Sequence, residues 1–349
     1  MTLDQALQNM RAFVADVMAD RPLTVVPPVA LVKAAHLGPI AYMRGISELR
    51  HEYAASLIMT DRRARTLREV VAALATRGVA SALLKGVSFL GNIYPDPAER
   101  PMSDIDLLVR VDELPAAIDI VTALGFVRVG MVRKLSDHYH AIAFCRGDMM
   151  IELHRNIQHR TRMRMSLEDV WQRTTPDEQG SGARRLERID ELLLCMLHAS
   201  RHELAVPAIN FIDVHRLWQR LTIAERDELQ SRATRYRVSR SVIAVLQMTA
   251  HLAAGRSARP DLGLGSSIQF RTPSSGVLRT PAKPGFAILP STDEILVGAR
   301  PHRMRQIAQK LLLTEGPREI AGLGYAWVAA MVDGGYRAAK WSRTHAGPT

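Results

Sequence analysis

The sequence predicts an α+β protein: a small mixed β-sheet core with an N-terminal helical cover and a C-terminal α-helical domain. Three observations carry this. Apolar residues recur at helical spacing through residues 3–19 and again through 29–77. Between residues 79 and 157 the pattern changes to short apolar runs bounded by glycine and proline. From Leu186 to about Ala253 the helical spacing returns. The expected units are residues 1–78, 79–165 and 186–345, the last interrupted by a Gly/Pro-rich linker or surface loop at about 255–301.

The elements follow in order. Pro22, Pro27 and Pro28 break the chain after the first helix. Leu57, Ile58, Ala64, Leu67, Val70, Val71 and Leu74 fit one face of a long amphipathic helix, which Gly78 ends as its C′ residue. "VASALLKG" reads as a buried strand, residues 87–94 as a short helix, and "YPDPAERP" as a loop. "DIDLLVRV" is a second strand, and Asp112 caps a helix that stops at Gly125. "FVRVG" is a third strand, and "HYHAIAFCRGDMMIELHRN" is a hairpin turning at Arg146-Gly147-Asp148. Two last helices are expected at roughly 302–314 and 317–341.

A formal net charge of +11 favours a polyanionic partner, although an Arg-rich composition reaches the same value without one. Aromatic residues are only 5% of the chain, which leaves few stacking platforms for single-stranded nucleic acid. Cys145 and Cys195 are too few for a disulfide framework, so a reduced, cytoplasmic setting is expected. The opening "MTLDQALQNMRAF" lacks the apolar stretch of a secretory signal. No run approaches the roughly 20 apolar residues of a membrane span, so no membrane partner is expected.

The chemistry concentrates in "RPMSDIDLLVRV". Side chains alternate along a strand, so Asp104 and Asp106 share a face while Ile105 and Leu107 take the other. Two like charges in an apolar sheet need a positive compensator, and a divalent metal ion carrying a nucleotide's phosphates is the natural one. A bare D-x-D reads more simply as two surface acids at the start of an edge strand. Three neighbours tip the balance. Lys85 and Gly86 end the preceding strand in "LLKG", where backbone amides and an ammonium suit phosphate. Arg100 either forks onto phosphate oxygens or pairs with Asp96 or Glu99. Glu152, in "MMIELHRNI", projects from an apolar run and becomes a third carboxylate if its strand lies beside 104–109. His154 has the parity of Glu152; it orients a carboxylate, touches phosphate, or simply ends the strand.

"LLKGVSFLGNIYPDPAERPMSDIDLLV", followed by "LGF" and "IELHRNI", resembles the uncharacterised nucleotidyltransferase family of the polymerase-beta-like superfamily over about residues 80–157. The resemblance implies a mixed sheet bearing three carboxylates, two Mg²⁺ ions and a nucleoside triphosphate. It implies transfer of a nucleoside monophosphate to an acceptor hydroxyl or phosphate, with a peptide or small molecule ahead of RNA as acceptor. Asp104, Asp106 and Glu152 then take the catalytic, metal-holding positions. Lys85, Gly86, Ser88, Arg100, Ser103 and His154 become the candidate nucleotide-binding residues. The turn here is K-G-V-S rather than G-S, and Glu152 stands where many members have Asp. The alternative is a non-catalytic nucleotide- or RNA-binding protein that keeps the fold.

Two features lie outside that segment. His198 and His202 are four apart on one helix face, with His215 and Asp213 downstream; they read as a metal pair or, more simply, as a polar seam lining a cleft. Arg300, Arg303, Arg305, Lys310, Arg318, Arg337, Lys340 and Arg343 make the C-terminal region basic, either a nucleic-acid face or a solvated helix surface.

Overall fold

The computed structural model describes residues 1–129, 141–157, 164–262, 289–299, 303–315 and 319–321, with Arg303 and Met304 described for the backbone alone. Helix α1 (Leu3–Met18) starts at Thr2, whose side chain accepts from the Gln5 N–H. Helices α2 (Val29–Ala34) and α3 (Gly38–Met43) follow, then the long α4 (Arg50–Thr76). Gly78 ends α4 with φ +72°. Its N–H donates to the Ala75 carbonyl at 3.0 Å, and the Val79 N–H donates to Leu74 at 3.0 Å, so both orphan carbonyls are satisfied.

The sheet and its helices come next: β1 (Ser81–Leu84), α5 (Gly86–Phe89), β2 (Ile105–Val109), α6 (Leu114–Ala123), β3 (Val127–Arg128), β4 (Ala141–Arg146) and β5 (Met149–His154). After α7 (Leu167–Arg173), two short strands, β6 (Thr175–Pro176) and β7 (Arg184–Arg185), complete a seven-stranded sheet of order β3-β4-β5-β2-β1-β7-β6. It is mixed: β2 runs parallel to β5 and antiparallel to β1. The β4–β5 hairpin turns at Gly147, whose φ is +61°. Helices α8 (Arg188–Arg201), α9 (Ile209–Gln219), α10 (Ile223–Arg235), α11 (Ser239–Ala253), α12 (Thr292–Leu296) and α13 (Arg303–Leu313) follow.

Register sorts the strand side chains between two cores. Leu83, Ile105, Leu107, Ile151 and Leu153 join the core shared with α4 and α6. Ala82, Leu84 and Leu108 face the other way, into the core built by α8, α9 and α11. Helices α1 to α3 join this second core, so the helices before the sheet are divided between its two sides.

Several expectations change. Leu57 and Ile58 are 38% and 60% exposed, because the first half of α4 crosses the 96–104 loop rather than the sheet. Its buried line there is polar: Ser56 Oγ donates to the Ala98 carbonyl at 2.8 Å, and Arg63 donates to Ser103 at 3.2 Å. Asp112 does not cap α6. The flanking residue is Glu113, Pro115 lies in the first turn with φ already set, and the Glu113 carboxylate accepts from the Ala80 N–H at 3.1 Å. The ends of the Gly/Pro-rich stretch pack onto the helices: Arg11 pairs with Asp293 on α12 at 2.5 Å. Its centre at 263–288, the start of the hairpin segment at 138–140, and most of the last expected helix lie outside the described residues. So do Arg300, Arg318, Arg337, Lys340 and Arg343; Arg305 and Lys310 are paired with Glu294 and Glu203. No described helix is long and apolar enough to cross a membrane.

Gly78→Ala isolates the cost of a left-handed helix stop, since a Cβ there meets nothing within 4 Å. We expect chemical denaturation to report a loss of about 1–2 kcal/mol, all of it backbone strain.

Candidate active site

The site is built around Asp106. It sits in the middle of the sheet, 3% exposed, with Leu84 opposite on β1 and Glu152 opposite on β5. In-register partners share a face, so Glu152 and His154 stand beside Asp106 and Leu108. Lys85 Nζ donates to Asp106 Oδ1 at 2.8 Å, and His154 Nε2 lies 2.6 Å from the same oxygen. His154 Nε2 also lies 3.2 Å from Glu152 Oε2. Burial works against the Asp106 carboxylate, but the Lys85 charge and the His154 hydrogen bond hold its pKa well below the ordinary value. Burial likewise opposes the His154 cation, yet its bonds to Asp106 and Glu152 raise its pKa. Glu152 is lowered, chiefly by the His154 hydrogen bond.

Asp104 precedes the first paired residue of β2. Its Oδ1 accepts from Ser103 Oγ at 2.9 Å. Burial, and then the charge of Asp106, raise its pKa, which marks a place where a cation is wanted. Among the described residues, Asp106, Glu152 and His154 offer ligand atoms within 4.8 Å of one another. This donor set suits a divalent metal ion. It differs from the expected trio in containing His154 and not Asp104, because the ladder fixes 106, 152 and 154 while Asp104 lies off its end.

Lys85 reaches Asp106 from a strained backbone. Its φ of 51° and ψ of −131° lie in a region that favours glycine. The Lys85 carbonyl is pinned by the Ser88 N–H at 2.9 Å and by Ser88 Oγ at 2.7 Å. Gly86 follows because a Cβ there would stand 2.8 Å from Met102 Cγ, which closes against the turn.

Lys85, Gly86, Ser103, Asp104 and Asp106 line one end of a cavity of about 330 Å³. Its far wall comes from α8 and α9 and includes Cys195, His198, Asn210 and Asp213. Burial, then the nearby Lys85 charge, keep the His198 imidazole neutral by pushing its pKa well down.

Three sequence candidates are placed otherwise than expected. Arg100 pairs with neither Asp96 nor Glu99. Its Nε and NH2 donate to Asp213 at 2.9 and 2.8 Å, and NH1 donates to the Pro101 carbonyl, so it braces the cavity wall instead of presenting a fork to phosphate. Ser88 is fully buried and turned toward Glu191 on α8, away from the cavity. His154, fully buried, takes the carboxylate-orienting place among its expected roles. His215 Nε2 bonds the Met18 carbonyl at 2.8 Å, on the α1 side. His198 and His202 do lie together, with ring centroids 4.8 Å apart and the rings tilted by 58°.

The residues that sequence reading missed are Tyr94 and Glu191. Tyr94 donates to Asp213 Oδ1 at 2.6 Å and completes the Arg100 clamp. Glu191 had one signal, an acid within the apolar run "IDELLLCML". Asp213→Ala strands the buried Arg100 cation, and urea denaturation should show a loss of about 3–5 kcal/mol, with Asp213→Asn costing less.

The solved structure of the antibiotic-resistance factor ANT(2'')-Ia is 16% identical, covering 55% of this chain and 98% of that one with a TM-score of 0.36. No curated protein matches. The model of the uncharacterised nucleotidyltransferase family matches residues 33–254, from α2 to just past α11 and so across the whole sheet and cavity. The chain therefore belongs to the uncharacterised nucleotidyltransferase family.

Proposed function

We propose that the protein is a Mg²⁺-dependent nucleotidyltransferase, moving a nucleoside monophosphate from a nucleoside triphosphate to a hydroxyl or phosphate of a peptide or small-molecule acceptor. One observation carries this: Asp106, grouped with Glu152 and His154, lines a cavity together with Asp104 and a strained lysine.

Asp104, Asp106 and Glu152 would hold two ions, and His154 orients the Asp106 and Glu152 carboxylates from its second contacts. Bound there, Mg²⁺ neutralises the triphosphate and orients the attacking oxygen. Lys85 is the residue poised to exchange partners. It neutralises Asp106 in this structure, and with that carboxylate holding a cation its ammonium would be available to phosphate oxygens. The Gly86 backbone and Ser103 hydroxyl stand at the same rim. The acceptor oxygen would then form its bond to the α-phosphorus as the bond to the bridging oxygen breaks, pyrophosphate leaves, and the proton of a hydroxyl acceptor passes to solvent water. The lowered pKa of Glu152 suits a metal ligand better than a proton acceptor. The 330 Å³ of the cavity matches a small ligand or one end of a chain.

The test is pyrophosphate release and label transfer from α-labelled nucleotides, with and without Mg²⁺. Wild type should show metal-dependent release, and Asp104→Ala/Asp106→Ala should fall to background. Nucleotide binding that ignores metal and survives the double substitution would replace this reading with a non-catalytic binding protein. His154→Ala should raise the Mg²⁺ concentration for half-maximal activity by about 10–100-fold while leaving nucleotide preference intact.

A further inference from the structure

Ser88 has one hydroxyl hydrogen and two close oxygen neighbours. Its Oγ lies 2.7 Å from the Lys85 carbonyl oxygen and 2.5 Å from Glu191 Oε1. A carbonyl brings no hydrogen, so the hydroxyl donates to it. Two oxygens at the second distance repel unless a hydrogen lies between them, and that hydrogen has to come from the carboxyl. We infer that Glu191 is a positioning residue of the nucleotide site: held as a neutral acid, it donates to Ser88 Oγ and leaves the Ser88 hydrogen free to pin the Lys85 carbonyl. This rests on the site reading given above.

The surroundings agree. Glu191 is 5% exposed on α8. Ser88 faces it from α5, and Arg185, Arg220 and Asp213 are the charged groups nearby, with the neutral Cys195 thiol on its own helix. Both arginines are committed elsewhere: Arg185 to Asp177 and the Ser88 carbonyl, Arg220 to Asn92. No ion pair reaches Glu191 among the described residues, so burial dominates and lifts its pKa to about 7. When the proton leaves, Ser88 has one hydrogen for two acceptors, and the Lys85 carbonyl keeps only the Ser88 N–H. The stability tied to the neutral carboxyl is complete below the unfolded-chain pKa and is lost as pH rises through about 7.

Infrared difference spectroscopy on the full chain tests the protonation directly. Wild type at mildly acidic pH should show a protonated-carboxyl stretch that titrates near pH 7. That band should vanish in Glu191→Gln and persist in Asp104→Asn, which covers the other raised carboxyl. The pH profile of metal-dependent pyrophosphate release tests the positioning. Wild type should lose activity through an apparent pKa near 7, and Glu191→Gln, which keeps a donor at every pH, should flatten that limb whatever its plateau. A wild-type chain without the band, or a Glu191→Gln enzyme with the same limb, overturns the inference. If no form releases pyrophosphate, the transferase reading fails by itself; the band and the pH dependence of the denaturation midpoint still decide for or against Glu191.

Discussion

One carboxylate oxygen organises this protein. Asp106 Oδ1 takes a bond from Lys85 on one side and from His154 on the other, inside a sheet covered on both faces. A charge so buried is tolerated only when its partners are present and well placed. That requirement reaches outward. Lys85 arrives from a left-handed turn, the turn needs Ser88, and Ser88 leans on Glu191 from a helix 103 residues downstream. His154 arrives from β5, whose parallel register with β2 also delivers Glu152.

The cavity follows from the same constraint. The face of β2 that carries Asp106 looks toward α8 and α9, so those helices wall the space above Asp104 and Asp106. Arg100 and Asp213 clamp the loop before β2 to α9, and Tyr94 seals the clamp from the side. A bidentate pair of this kind fixes angle as well as distance. It keeps Pro101, Met102 and Ser103 pressed along the cavity, just ahead of Asp104.

Local pattern made much of this legible. The alternation in "DIDLLV" placed Asp106 and Leu107 on opposite faces because period two is a property of the backbone, whatever the sheet does. The hairpin was readable from Gly147, and the end of α4 from Gly78, since each needs a left-handed residue. What failed were statements about distant neighbours. Arg100 sits four residues from Asp96 in sequence, yet its carboxylate is 113 residues away. Leu57 and Ile58 obey helical spacing, but a polar loop and not the sheet runs beneath them. Strands β6 and β7, Thr175–Pro176 and Arg184–Arg185, have no apolar run to read and exist because β1 offers an open edge. Ser88 has the right residue type near the right turn, and only the tertiary structure shows that its hydroxyl points away from the cavity.

The two-sided sheet bears on modularity. Ala82, Leu84 and Leu108 are strand residues, but the core they belong to is made mostly of residues from α8 onward together with α1 to α3. An excised stretch covering only 79–157 keeps all three acids and leaves that entire face wet, with Arg100 and Asp106 on the newly exposed side. The segment that carries the signature is thus half of a folding unit. Any recombination or grafting of this chemistry has to move the helical half with it, and the helices are free to diverge only where they touch neither the sheet nor the cavity.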